Sequence, residues 1–254
     1  MQSRFLLCIF CLRAVYSCCA ERKWIFMSLG ERLAAVASLV PQGVRLADIG
    51  TDHAYLPINL CQNGVITAAV AADVNKGPYQ VALASIAAAG LSGKVQVRLG
   101  DGLKVLAPGE VDVVTIAGMG GGLMQELLNA SADILAGLSG LILQPMNAGA
   151  GLRKWLYQHG WHIHDEVLVL EDERLYEILY AVPGEEEVPD DIMLSVGPII
   201  WQKKQPLLRL RLEQLLSQEQ RILQGLASSD RAKSSSKYRE TIEKIEKLEA
   251  LSQW

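Results

Sequence analysis

Carboxylates recur at one kind of place in this 254-residue sequence. Asp48 and Asp52 flank Gly50 in Asp-Ile-Gly-Thr-Asp-His-Ala-Tyr (48–55), Asp73 closes Ala-Ala-Asp (71–73), and Asp101 sits in Leu-Gly-Asp-Gly (99–102). Each group follows a short run of Val, Ile, Leu and Ala, so each marks the end of a buried strand. A glycine directly after such a strand lets the backbone turn tightly, which suits close approach of a ligand. The turn is not G-x-G-x-x-G, however. Only Gly50 is glycine, and Asp48 and Asp52 would repel a pyrophosphate and favour a cation. Asp73 lies 23 residues past Gly50, the interval at which an acid can accept both hydroxyls of a ribose. Asp101 can accept from an adenine amino group, with Val74 and Gly102 adjoining the same edge. Taken singly, each acid also fits a helix cap or a turn. Taken together they fit a ligand with a ribose, an adenine, a positive centre and no phosphate. S-adenosylmethionine has all of these features.

A fourth run ends in Ala-Gly-Met-Gly-Gly-Gly (117–122). A tight turn needs one or two glycines, and this one has four in five residues. Its bare backbone groups suit a pocket wall, with Gly118, Met119 and Gly120 as the candidates to face a substrate. A phosphate-binding nest is the other use of such a turn. The Lys and Ser/Thr of a P-loop are missing, which argues against nucleotide hydrolysis. Gln144-Pro145-Met146-Asn147 ends a fifth run and adds polar groups to the same edge. Tyr55 can stack on a substrate base or pack beneath the turn, and His53 can line the cofactor site or be structural. His162 and His164 have no Cys or Asp at ligand spacing, so no metal role is assigned.

Five buried runs must hold these groups: 44–50, 68–74, 94–100, 111–118 and 140–146. Crossover helices are expected at 56–62, 78–90, 122–129 and 152–160, and an amphipathic helix opens at 28–40. Two further strands, 161–170 and 174–182, are joined by a charged turn and read as an antiparallel pair at the sheet edge. This is an α/β architecture: a doubly wound, mostly parallel, seven-stranded sheet whose carboxyl edge carries the acids. From 189 onward the texture is helical. Leu208, Leu212, Leu215, Ile222 and Leu226 form one narrow stripe; Tyr238, Ile242, Ile245, Leu248 and Leu251 form another. Two such stripes predict a coiled-coil hairpin, with a weak start to its second helix at Ser234 to Ser236.

Half the residues are hydrophobic and the net charge is −4, which excludes wholesale disorder and a chain basic throughout. The charge is unevenly spread. Residues 28–184 hold nine basic and fifteen acidic side chains, whereas 203–239 hold nine basic and three acidic. A basic helical hairpin beside an acidic domain fits a nucleic-acid handle, or a solvated coiled-coil face. Its candidates are Lys203, Lys204, Arg209 and Arg211, with Arg153 and Lys154 extending the track. Four of five cysteines lie in the first nineteen residues, so the body reads as a reduced, cytoplasmic protein. The apolar stretch 5–16 is too short to span a bilayer, and no membrane partner is expected. Residues 1–27 are an extension, or translation starts at Met27 and residues 1–26 precede it; residues 28–184 form the cofactor-binding domain, and 185–254 the helical one.

Asp-Ile-Gly-Thr-Asp-His-Ala-Tyr-Leu-Pro (48–57), Ala-Gly-Met-Gly-Gly (117–121), Leu-Ile-Leu-Gln-Pro (141–145) and Leu-Arg-Lys-Trp-Leu (152–156) occur in order. In these blocks the chain resembles the bacterial tRNA (adenine(22)-N(1))-methyltransferase family, from about Leu29 to its end. The resemblance implies a Rossmann-like class I methyltransferase domain with a C-terminal coiled coil. It also implies S-adenosylmethionine-dependent methylation of adenine N1 at position 22, in the D-arm region of tRNA. Met146 intervenes before Asn147 where the family pattern has Asn directly after Pro. No metal is implied, and a monomer would suffice. Rival readings are methylation of another RNA site, a protein or a small molecule; a nicotinamide-dependent oxidoreductase; and a non-catalytic RNA-binding protein.

Overall fold

The computed structural model describes residues 29–253. Residues 1–27, read above as an extension or an untranslated leader, lie outside them. Helix α1 (Glu31–Ser38) leads into β1 (Val44–Ile49), and the chain then alternates: α2 (Tyr55–Gln62), β2 (Ile66–Asp73), α3 (Lys76–Ala88), β3 (Val95–Leu99), β4 (Val113–Met119). Helices α4 (Gly121–Asn129) and α5 (Ala132–Leu135) connect to β5 (Gly140–Pro145), and α6 (Gly149–Gln158) connects to β6 (Trp161–Glu171) and β7 (Arg174–Pro183). The sheet order is β3-β2-β1-β4-β5-β7-β6, parallel except for β7, which runs antiparallel to both of its neighbours. Strand order reverses between β1 and β4, where doubly wound sheets open a crevice at their carboxyl ends.

Alternate residues of the central strands enter different cores. Ala47, Ile49, Val114, Ile116, Leu141 and Leu143 pack with Met124 and Leu128 of α4 and with Leu152 and Leu156 of α6. Leu46, Ala69, Ala71, Val113 and Ile142 pack with α1, α2 and α3 through Val36, Leu56, Leu60 and Ile86. Burial on both faces explains why the sequence shows continuous apolar runs rather than alternation. The β6–β7 turn has Asp172 and Glu173 at positive φ (48° and 61°), the two-residue geometry that matches strand twist and sets Glu171 opposite Arg174.

Beyond β7 the chain forms α7 (Asp191–Val196), α8 (Pro198–Gln202), α9 (Leu208–Leu226), α10 (Asp230–Lys233) and α11 (Ser236–Leu251). The two long helices coincide with the two predicted stripes. Helices α7 and α8, of six and five residues, were not foreseen because they are too short to show a 3.6-residue period. Leu208 and Leu212 near the start of α9 share a cluster with Leu248 and Leu251 near the end of α11. The two helices therefore run antiparallel over the base formed by Ile192, Val196 and Ile200. One of the serines at the start of α11 caps it: Ser235 Oγ accepts from the Tyr238 amide at 3.2 Å. No helix among the described residues is long and apolar enough to cross a membrane.

Candidate active site

The turn after β1 is held from below. Asp48 is only 5% exposed, and its two oxygens accept from Thr51 Oγ1 at 2.6 Å and Thr115 Oγ1 at 2.8 Å. Burial pushes its carboxyl pKa up, against those two hydroxyl bonds. Asp48 was read as lining the cofactor; with both oxygens engaged, it instead ties the turn to β4. The Gly50 and Thr51 amides donate to Ala72 O, at 2.8 and 3.0 Å. Gly50 has φ +75°, and the space a Cβ would occupy is filled by Met119 Cε. The first and fourth motifs thus meet at one point, as their place on neighbouring strands requires.

Asp52 and Ala54 also hold positive φ (51° and 59°), a cost that L residues bear mainly where surrounding structure over-determines them. The conformation presents two rings. His53 stacks on Tyr55 at 5.1 Å between centroids and 13° between planes, and its Nε2 lies 3.5 Å from Asp52 Oδ2. Tyr55 is 55% exposed, so it is not packed beneath the turn.

Asp73 accepts from the Asn75 amide at 2.8 Å through Oδ1 and has no cation bridged to it among the described residues. Beside it stand two bare apolar side chains, Val74 at 62% exposure and Leu99 at 44%. Leu99 is the register partner of Asp73 on β3. A carboxylate flanked by exposed aliphatics fits a ribose joined to a flat base, and the sequence reading missed Leu99. Asp101 is exposed and bridges Lys104 at 2.6 Å, a pairing that leaves most of its surface to solvent. Gly102 was read as adjoining the cofactor. A Cβ there would instead meet Leu127 of α4 at 2.5 Å, which makes it a packing position.

The substrate side of the crevice is the end of β4. Gly118 has φ +81° and interrupts the β4–β5 register between Ala117 and Met119. Its amide donates to Gln144 Oε1 at 3.1 Å, and that oxygen also receives Arg32 Nη1 at 2.8 Å. The Met146 amide donates to Met119 O at 2.8 Å. Asn147 Oδ1 lies 3.1 Å from where a Gly120 Cβ would be, so Asn147 borders the glycine turn despite the interposed Met146. Gln144 and Asn147 belong to one segment and had a sequence signal; Arg32, 112 residues away from Gln144, had none.

The predicted basic track divides. Arg153 is fully buried: its Nε lies 2.6 Å from Glu166 Oε1, its Nη2 2.7 Å from Glu177 Oε2, and its Nη1 donates to Leu194 O at 3.1 Å. Burial alone would lower its pKa, but the facing Glu166 and Glu177 carboxylates reverse this and raise it. Arg211 Nη2 lies 3.1 Å from Glu177 Oε2 and donates to Ser195 O at 2.7 Å. Burial lowers its pKa despite Glu177, and the nearby Arg153 charge adds to the lowering. Both arginines therefore leave the proposed RNA surface, because a desolvated cation needs the carboxylates it faces. Lys203 lies 2.5 Å from Asp165 Oδ1, and Lys204 Nζ sits over the Trp201 ring, 2.9 Å from its centroid. Arg209 is 85% exposed with Glu213 at 3.6 Å, and Lys154 is half-exposed with Asp191 at 3.8 Å. No cluster of three or more His, Cys, Asp or Glu side chains that could hold a metal occurs among the described residues.

Comparison with known proteins identifies the family. The sequence model of the tRNA (adenine(22)-N(1))-methyltransferase family matches residues 46–248. The tRNA (adenine(22)-N(1))-methyltransferase of Bacillus subtilis (strain 168) is 37% identical over 228 residues, which span 87% of this chain and 96% of that protein. The crystal structure of a Streptococcus pneumoniae protein in complex with S-adenosyl-L-methionine superposes with a TM-score of 0.78 at 35% identity, over 87% of this chain and 98% of the other. The structure of M. capricolum TrmK in complex with S-adenosyl-homocysteine superposes with a TM-score of 0.75 at 29% identity, over 87% of this chain and 96% of the other.

Proposed function

Because the chain belongs to the tRNA (adenine(22)-N(1))-methyltransferase family, we propose how its own residues divide the reaction. The protein is an S-adenosylmethionine-dependent enzyme that transfers a methyl group to N1 of an adenine in tRNA. The cofactor supplies an activated methyl group on a sulfonium. Asp73 accepts from the ribose hydroxyls, Val74 and Leu99 cover the adenine faces, Asp101 receives the exocyclic amine, and the Gly50 turn with Met119 borders the methionine moiety. The carrying observation is Asp73, a nearly buried carboxylate without a bridging cation, set between two exposed aliphatic side chains.

Adenine N1 carries an in-plane lone pair at neutral pH, so the attack needs placement rather than a strong base. As the N1–methyl bond forms, the sulfonium–methyl bond breaks and its electron pair stays on sulfur, which leaves as a neutral thioether; the base takes over the positive charge, and an N6 proton can later pass to water. In the turn from Gly118 to Gly120, the Met119 and Gly120 carbonyls already accept the Met146 and Met124 amides, so the Gly118 carbonyl is the one assigned to the N6 amine, and no side-chain acceptor from the turn itself is needed. The target base must leave its stack, and Tyr55, backed by His53, offers a ring face to receive it. Lys203, Lys204 and Arg209 remain as the exposed cations of a tRNA handle beside the C-terminal helices, with Lys154 of α6 extending it. Such a reading entails a cytoplasmic enzyme, where tRNA is.

Calorimetric titration tests the cofactor assignment. Asp73→Ala removes two charge-assisted hydrogen bonds and should weaken S-adenosylmethionine binding by roughly a hundredfold, about 3 kcal/mol. NAD should not bind either protein. Unchanged cofactor affinity in Asp73→Ala would refute the assignment.

A further inference from the structure

The hairpin between β6 and β7 reaches the same rim as the carboxyl ends of β4 and β5, because β7 runs antiparallel to β5. It brings two arginines to one phenol. Arg174 Cζ lies over the Tyr176 ring at 5.3 Å from its centroid, and Arg32 Cζ over the same ring at 5.7 Å. The group adjoins the base pocket directly. Arg32 Nη1 is 3.8 Å from where a Gly118 Cβ would stand, and it shares Gln144 Oε1 with the Gly118 amide. Arg174 Nη2 donates to Met146 O at 3.2 Å, in the segment that leads from β5 to Asn147.

Holding two cations on one ring is unfavourable unless an anion offsets them. Glu171 answers Arg32: its Oε2 lies 3.8 Å from Arg32 Nε, and its Oε1 accepts the Arg32 amide at 3.1 Å. Arg174 is exposed and bridges no carboxylate among the described residues, although Asp172 and Glu173 form the adjoining turn. Among the described residues its guanidinium makes one hydrogen bond, to Met146 O, which leaves most of its five donors free. An arginine stacked on an aromatic ring is well suited to bind phosphate in a bidentate fashion or to stack with a base. Such a surface at the mouth of a base pocket fits the strand on which the target base is carried.

We propose that Arg174, with Tyr176 and Arg32 behind it, binds the RNA backbone of a nucleotide next to the target adenosine and so seats the strand across the crevice. This rests on the methyltransferase reading above and deepens it by naming where the strand lies. The tip carboxylates keep this from being a general polyanion patch. Binding is therefore expected to depend on one seated phosphate.

The test uses full-length protein and unmodified tRNA, with binding measured at several salt concentrations. Arg174→Gln should weaken tRNA binding about tenfold and reduce the salt slope by about 0.7 to 0.9, the release expected for one phosphate contact. Affinity for S-adenosylmethionine and the melting temperature should not change. Arg174→Lys should restore the salt slope, with affinity recovered only in part because the planar fork is lost. If Arg174→Gln binds tRNA with wild-type affinity and slope while the wild type forms 1-methyladenosine, the seat is wrong and the enzyme reading stands. If the wild type forms none, the enzyme reading falls and the seat falls with it.

Discussion

Two sets of charged residues in this molecule look alike in sequence and do opposite things. At the crevice rim, Asp73 and Asp101 keep accepting capacity that the protein does not fill with buried cations. At the joint between the sheet and the C-terminal helices, the charges are paired with one another inside the protein, although Arg153 Nη2 and Arg211 Nε make no hydrogen bond among the described residues. Glu166 and Glu177 face Arg153 and Arg211, Glu166 Oε2 receives the Ile199 amide at 2.8 Å, and Gln205 Oε1 receives the Leu168 amide at 2.9 Å. Gly197, at φ +104°, would bring a Cβ to 3.0 Å from Arg153 Nη2, so the chain passes close over the cluster. Burial pushes the Glu177 pKa up, but the two arginines more than offset it and hold it below the usual carboxylate range. A rim charge with unused hydrogen-bonding capacity points outward to a ligand. One whose partners are all internal fixes the geometry of the fold, here the seating of the helical hairpin on the methyltransferase sheet.

Removing one charge from each set should separate them. Arg153→Ala strands Glu166 and part of Glu177 in a desolvated site and should lower stability by about 3 to 5 kcal/mol, read by urea unfolding. Its folded fraction should still bind S-adenosylmethionine with wild-type affinity, the reverse of the pattern expected for Asp73→Ala. Wild-type stability in Arg153→Ala would break the comparison. On the exposed side of the helices, Lys204→Gln with Arg209→Gln should move stability by no more than about 0.5 kcal/mol. The same pair should weaken tRNA binding and flatten its salt dependence while sparing the cofactor. Unchanged tRNA binding would remove the handle and leave the helices as structure alone.

The sheet was legible because its strands are buried on both faces and leave unbroken apolar runs, each closed by a glycine or an acid. The edge inversion was legible from the charged turn between two strands with no helix-length segment between them. The joint was not legible. Arg153 sits beside Lys154 in a helix, and nothing local says that one is wholly buried and the other half-exposed. Its partners lie on β6, β7 and α7, so the pairing exists only once the chain is folded. The same holds for Arg32, which reaches Gln144 across 112 residues. Leu99 shows a third way to be missed. It ends a strand like any core residue, and only the rim position of β3 leaves it bare.

The central claim is methyl transfer to a ring nitrogen of one adenine, and nucleoside mapping tests it most directly. Unmodified tRNA incubated with the protein and S-adenosylmethionine, then digested and sequenced by mass spectrometry, should gain 1-methyladenosine at position 22. Methylation at the exocyclic N6, at another nucleotide, or nowhere would contradict the account.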